Sequence, residues 1–270
     1  MDEISIRRNY YVVMANTIIT DMCCKLPLQH TKVLRYMISK IKPTDTPGSL
    51  YTMSVKEYCE TAGITYCGQN LNSIKELLTK KVEDIDRQFE WISVGRKNMR
   101  IRWFDVLNYN EETATVEYTW SGSISPFLFN LIHGSEGYMQ YRIQESIALE
   151  SDYAVKLFEL MKVYIGQKKS TVVIEIAELK KLFDANHITR TNDFMRRVID
   201  MAIKDIHEYT TLRIKYTPQK VKSRGYTHIM FSIREDEDFL GATEEARIRK
   251  LDKIPSPFSD EKNIKKAKME

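Results

Sequence analysis

Apolar side chains recur at helical spacing through Phe194, Val198, Met201 and Ala202, joined by Met195, Ile199, Ile203 and Ile206. That period predicts an amphipathic helix over 191–209, with all eight residues turned toward a core. Asp193, Arg197, Asp200, Lys204 and Glu208 fall on the opposite face. Asp193 with Arg197, and Asp200 with Lys204, are acid-before-base pairs four residues apart, which stabilise any solvated helix by roughly a few tenths of a kcal/mol. The stripe alone therefore needs no ligand. The next residues, "TLRIKYTPQKVKSRGYTHIMFSI", alternate apolar and polar positions in two runs around a polar loop, the pattern of a β-hairpin.

The same order of elements precedes this stretch. "SDYAVKLFELMKVYI" reads as a helix capped by Ser151, and "VVIEIAELKKLFDA" as a strand running into a second helix. Earlier, "PLQHTKVLRYMISKIKP" places Leu34, Met37, Ile38 and Ile41 at helical spacing, with Pro27 in the first turn. After the strand-like "SLYTM", Ser54 can cap "SVKEYCETAGI", with Glu57 as its capping-box partner and Gly63 as its end. A third helix is predicted in "NLNSIKELLTKKVED", from the stripe Leu71, Ile74, Leu77 and Leu78. Three β-like runs follow, "QFEWISV", "MRIRWFDVLNY" and "ATVEYTWS", whose Trp91, Trp103 and Trp120 alternate with polar neighbours as buried strand residues do. Phe127, Leu128, Leu131 and Ile132 suggest a short closing helix.

Three helices and a hairpin, given twice, predict an α+β chain of two tandem winged-helix domains. The boundaries expected are 1–134 for the first domain, 135–235 for the second, and a flexible charged C-terminal tail over 236–270. The junction falls between Gly134 and Glu150.

At 270 residues and 43% hydrophobic composition, the chain can bury two modest cores. No apolar run reaches the ~18 residues that a membrane helix needs, and the start carries acidic residues where a signal peptide needs a basic start and a cleavage site. A cytoplasmic protein with no membrane partner is expected. Cys23, Cys24, Cys59 and Cys67 lack zinc-ligand spacing, and the five histidines are scattered, so no metal or other cofactor is expected. There is no Walker-type phosphate loop and no carboxylate cluster for a two-metal nuclease. The expectation is a protein that is not an enzyme.

The net charge of +4 is mild, so its placement matters more than its size. From Leu212 to His228 there are five basic residues, Arg213, Lys215, Lys220, Lys222 and Arg224, and no acidic ones. A duplex presents phosphates on both sides of its major groove, so a basic hairpin can hold the backbone while a neighbouring helix reads base edges. The first hairpin carries Arg96, Lys97, Arg100 and Arg102, and suits either phosphate contact or an interaction surface.

In "LPLQHTKVLRYMISKI", "SDYAVKLFELMKVY", "FMRRVIDMAIKDIHEYTTLRIKY" and "HIMFSI", the chain resembles plasmid replication initiators of the Rep_3 type. The most specific match is Phe194, Arg197-Val198, Ala202-Ile203 and Asp205-Ile206. Lys156-Leu157-Phe158 departs from the family's frequent Arg-Leu-Tyr. The resemblance implies a non-enzymatic initiator that binds repeated origin sites (iterons) in double-stranded DNA, helps open the duplex and recruits host helicase and initiation factors. It also implies a homodimer in exchange with monomer, the dimer repressing the initiator's own promoter. The alternative is a winged-helix transcriptional repressor with no origin role. By position, the DNA-binding candidates are Arg190, Thr191, Asn192, Arg196, Arg197 and Lys204 on the helix, Lys215, Lys220, Lys222 and Arg224 on its wing, and Arg96 and Lys97 on the first hairpin.

Overall fold

The computed structural model describes residues 11–21, 26–66, 90–94, 97–131, 137–221 and 225–236. The expected helix over 70–84, the Trp91 side chain and the C-terminal tail lie outside them.

The chain opens with strand β1 (Tyr11–Ala15), followed by helices α1 (Asn16–Thr20) and α2 (Leu28–Ile38). Strand β2 (Leu50–Ser54) then runs directly into α3 (Val55–Ala62). Gly63 ends α3 at φ 66°, a left-handed turn that glycine adopts without a Cβ clash. Ser54 makes no side-chain cap, and the Glu57 carboxylate expected to complete the capping box accepts from Lys40 at 2.9 Å.

Strands β3 (Glu90–Val94) and β4 (Lys97–Ile101) form one hairpin. β5 (Phe104–Asn110) and β6 (Thr115–Trp120) form another, which β2 extends to three strands in the order β2-β6-β5. The apolar run read as one strand thus breaks into two at Arg102-Trp103. Trp103 and Trp120 are both buried, with Phe104 stacked 5.0 Å from Trp120. Where a short closing helix is expected, the described residues show a 3-10 turn at Ser125–Phe127, and Ile132 lies outside them.

Strand β7 (Tyr138–Arg142) pairs antiparallel with β1, Tyr11 opposite Arg142 and Ala15 opposite Tyr138. The segment after Gly137 is therefore tied to the start of the chain before α4 (Ile143–Ala148) leads into the second half.

Helix α5 (Asp152–Gly166) is buried around most of its circumference from Ala154 to Val163, so it packs against both halves. It carries two charges into that core. Glu159 receives Arg35 of α2 through Nε at 2.6 Å and a second guanidinium nitrogen at 3.0 Å, and the Tyr141 hydroxyl donates to it at 2.7 Å. Lys162 lies 3.5 Å from Glu145 and 2.5 Å from Glu235. Buried charges persist only when paired and hydrogen-bonded, which these are. Ser151 makes no side-chain cap here either; Asp205 accepts the backbone N–H groups of Glu150 and Ser151, both at 2.9 Å. A carboxylate at that position complements the helix dipole.

The second half continues with β8 (Thr171–Glu175) and α6 (Ile176–Leu182). Helix α7 covers 191–209 as α-helical Thr191–Phe194, a π-helical turn Met195–Asp200, and α-helical Met201–Tyr209. β9 (Leu212–Gln219) and β10 (His228–Glu235) close it in a three-stranded sheet of order β8-β10-β9. Val172, Ile174, Ile214, Ile229, Phe231 and Ile233 fill its inner face. The predicted order of helices and hairpin is present in this half.

Candidate nucleic-acid interface

Helix α7 is positioned from both ends. At its start, the Lys180 ammonium of α6 donates to the carbonyls of Ile188 at 2.6 Å and Thr189 at 3.1 Å. It also stands 5.6 Å over the buried Phe194 ring. Lys180 therefore ties α6 to the turn that launches α7, a use of charge that no spacing in the sequence announces. Near its middle, the Tyr216 hydroxyl of β9 donates to Asp200 at 2.7 Å, joining helix to hairpin. Burial and the Asp200 carboxylate push the Tyr216 hydroxyl up to about 12. At its end, His207 Nε2 accepts the backbone N–H of Ile214 at 2.9 Å. That bond requires an unprotonated Nε2, and burial together with the Arg213 charge holds the ring's pKa below its ordinary value.

The π turn sets which residues face outward. Phe194, Val198, Ala202 and Ile206 are all buried at a strict four-residue spacing. In an α-helix of 3.6 residues per turn that row would drift around the axis; the wider turn at Met195–Asp200 reduces the drift. Met195 and Ile199 join the core as expected, and Ile203 is half-buried. Met201 does not join it. Expected in the apolar stripe from a uniform helical period, Met201 is 57% exposed.

The expected ion pairs are also absent. Asp193 pairs with Arg196 at 3.1 Å rather than with Arg197, and Asp200 is engaged by Tyr216 rather than by Lys204. Arg197 and Lys204 are exposed, and neither has an ion-pair partner among the described residues. Arg190, at the helix start, and Asn192 are exposed, and Thr191 is half-buried. Arg196 keeps 74% of its side chain exposed, so its pair with Asp193 is a solvated contact that a stronger anion can displace.

On the wing, Lys215 projects from the outer face of β9, between the inward Ile214 and the half-buried Tyr216. Lys220 is exposed, with its ammonium 5.3 Å over the Tyr226 ring. Arg213, counted among the hairpin's basic residues in the sequence, is consumed locally. It donates to the carbonyls of Thr210 at 2.8 Å and Leu212 at 2.9 Å, and approaches Asp236 at 3.7 Å. Lys222, Arg224 and Arg96 lie outside the described residues. Lys97 opens β4 in the first hairpin, at a distance along the chain from the α7 constellation. In that first hairpin region Arg102 is held by Asp105. The structure thus gathers Arg190, Asn192, Arg196, Arg197 and Lys204 on one helix, with Lys215 and Lys220 on the hairpin joined to it.

Among the described residues, no group of His, Cys, Asp and Glu is arranged to hold a metal, and no helix is long and apolar enough to cross a membrane. Cys59 is buried and in no disulfide among the described residues.

Two family descriptions match the chain: "Initiator Replication protein, WH1" over residues 11–162 and "Initiator Rep protein, WH2" over residues 175–233. Among solved structures, the Pi initiator protein in complex with iteron DNA superposes with a TM-score of 0.70 at 16% identity, covering 86% of this chain and 99% of that one. A structure of domains 2 and 3 of RctB matches with a TM-score of 0.41 at 10% identity, covering 77% of this chain and 79% of that one. At such identity the likeness to Pi establishes a shared fold. With its two halves matching WH1 and WH2 in order, the chain is built of two winged-helix domains and belongs to the initiator replication protein family.

Proposed function

We propose that this protein is a plasmid replication initiator that binds iterons sequence-specifically through its second winged-helix domain. The observation that carries this reading is the outward face of α7, where Arg197 and Lys204 stand exposed without ion-pair partners among the described residues, beside a hairpin bearing Lys215 and Lys220. An arginine fork on such a face suits the O6 and N7 acceptors of guanine, and hairpin lysines suit phosphate. Family membership supports the reading, as does a shared fold with Pi, which was solved on iteron DNA.

On this reading α7 lies in the major groove and the wing holds the backbone. The protein acts by binding, with no catalytic step of its own. Binding to several repeats opens the origin and recruits host helicase and initiation factors. A homodimer in exchange with the monomer binds the initiator's own promoter and represses it. The first domain adds DNA contact in the monomer and dimerisation in the dimer.

DNase footprinting on the DNA flanking the gene tests the proposal. Protection of directly repeated sites, with loss of protection in Arg197→Ala, is expected. Uniform binding at all sequences, or unchanged protection in that variant, contradicts it. Incubating supercoiled origin DNA with the protein and a divalent metal is expected to leave no nick and no covalent adduct.

A further inference from the structure

We propose that Met201 is a base-reading residue, packing against the 5-methyl group of a thymine in the major groove. The proposal rests on the reading that α7 enters that groove.

Met201 is an anomaly on its helix. Its neighbours are Arg197, four residues before, and Lys204, three residues after, both exposed; the acids beside it are already engaged, Asp200 by the Tyr216 hydroxyl and Asp205 by the backbone N–H groups of Glu150 and Ser151. Side chains at those spacings lie side by side on a helix surface. The buried row passes it by on Val198, Ile199, Ala202 and Ile206. A long unbranched apolar side chain, 57% exposed, therefore stands between two cations on the face free of the core.

Other apolar side chains of similar exposure, Leu50 and Val173, stand on the outer sides of β2 and β8 rather than on this helix. Met201 is set apart by its company. Each cation beside it matches something the groove displays: guanine acceptors for arginine, phosphate or guanine for lysine. The groove's one apolar feature is the thymine methyl, and Met201 is the apolar side chain placed to meet it. A thioether with three rotatable bonds can follow that methyl without demanding one rigid pose. Arg197 and Met201 together would then favour a site holding a guanine and a thymine close in sequence.

The test uses the full-length protein and a double-mutant cycle between protein and DNA. Wild-type protein first selects its site from a pool of random duplexes. Each thymine of that site is then replaced singly by uracil, which removes the methyl and leaves base pairing intact. Burying one methyl corresponds to roughly a fourfold change in Kd, so one uracil position is expected to weaken wild-type binding by about that factor. Met201→Ala is expected to bind the thymine and uracil duplexes equally, and Met201→Leu to keep part of the discrimination. Because Met201 is exposed, both variants are expected to melt with the wild type, which thermal unfolding checks.

If the wild type selects a site but no uracil position couples to Met201, the assignment of Met201 is overturned while iteron binding stands. If the wild type selects no sequence at all, the proposed function fails, and the assignment falls with it.

Discussion

The two hairpin regions look alike in basic composition, and their described cations, Arg102 in the first and Arg213, Lys215 and Lys220 in the second, are used differently. In the first, Arg102 is held by Asp105, beside a core of stacked aromatics that includes Trp103, Phe104 and Trp120. In the second, Arg213 is consumed by backbone carbonyls, yet Lys215 and Lys220 remain exposed, and Tyr216 links the hairpin to α7. Counting basic residues does not separate these regions. What separates Arg102 and Arg213 from Lys215 and Lys220 is whether a carboxylate or carbonyl of the protein already engages the cation.

The largest effect is expected at the buried ion pair that joins α2 to α5, its two residues both within residues 11–162. Removing one partner of the buried Arg35 and Glu159 pair, as in Arg35→Met, leaves a carboxylate stranded in the core, and about 3–5 kcal/mol of stability should be lost. Urea unfolding measures it. A loss under 1 kcal/mol would show that the fold does not depend on this buried pair.

Next comes the face of α7. Arg197→Ala is expected to cost about 1–3 kcal/mol of sequence-specific binding, by loss of a bidentate base contact. Mobility shifts on selected and scrambled duplexes should show the loss on the selected duplex alone.

Two lysines then sharpen the comparison between a cation spent on DNA and one spent on the fold. Lys220→Ala should lower the salt slope of binding by about one unit, the signature of a lost phosphate contact. Lys180→Met should leave the slope unchanged while lowering stability by about 1–2 kcal/mol, because its ammonium serves the carbonyls of Ile188 and Thr189. Arg102→Ala in the first hairpin should likewise leave the slope unchanged. A slope that falls equally in all three variants would erase the distinction between the hairpins.

The smallest effect concerns pH. His207 has a folded pKa below its ordinary value, so the folded state favours the neutral ring. Its contribution to stability is complete above the unfolded histidine pKa of about 6.5 and is lost as pH falls from there toward the folded pKa. His207→Gln, whose amide oxygen can accept the same Ile214 N–H, should flatten that part of the stability profile. A profile unchanged by the substitution would remove His207 as the joint between α7 and β9.

Much of this architecture is legible in the sequence, because helical period, alternating strands and turn residues are local signals. The order of elements in the second half and the burial of Trp103 and Trp120 follow from them. What escaped is what depends on partners distant in sequence. Ser54 and Ser151 have the right identity for caps, yet Glu57 is claimed by Lys40 and the start of α5 by Asp205, some 50 residues on. The pairs expected within α7 fail because Asp200 has a better partner in Tyr216, on another element. Met201 lies at the edge of the apolar arc, beside Arg197 and Lys204, where period and hydrophobicity alone do not fix burial. Lys215 and Lys220 follow from the acid-free charge of the hairpin, and Arg197 and Lys204 from their position in the family resemblance; geometry then separates them from Arg213.

The central claim is that α7 reads base sequence while its wing holds phosphate. Measuring Kd for the wild type and Arg197→Ala across a salt series, on a selected duplex and on a scrambled one, tests it most directly. The account predicts that Arg197→Ala brings the two duplexes close to one affinity, with the scrambled-duplex binding and its salt slope nearly intact. Undiminished discrimination between the two duplexes in Arg197→Ala would contradict it.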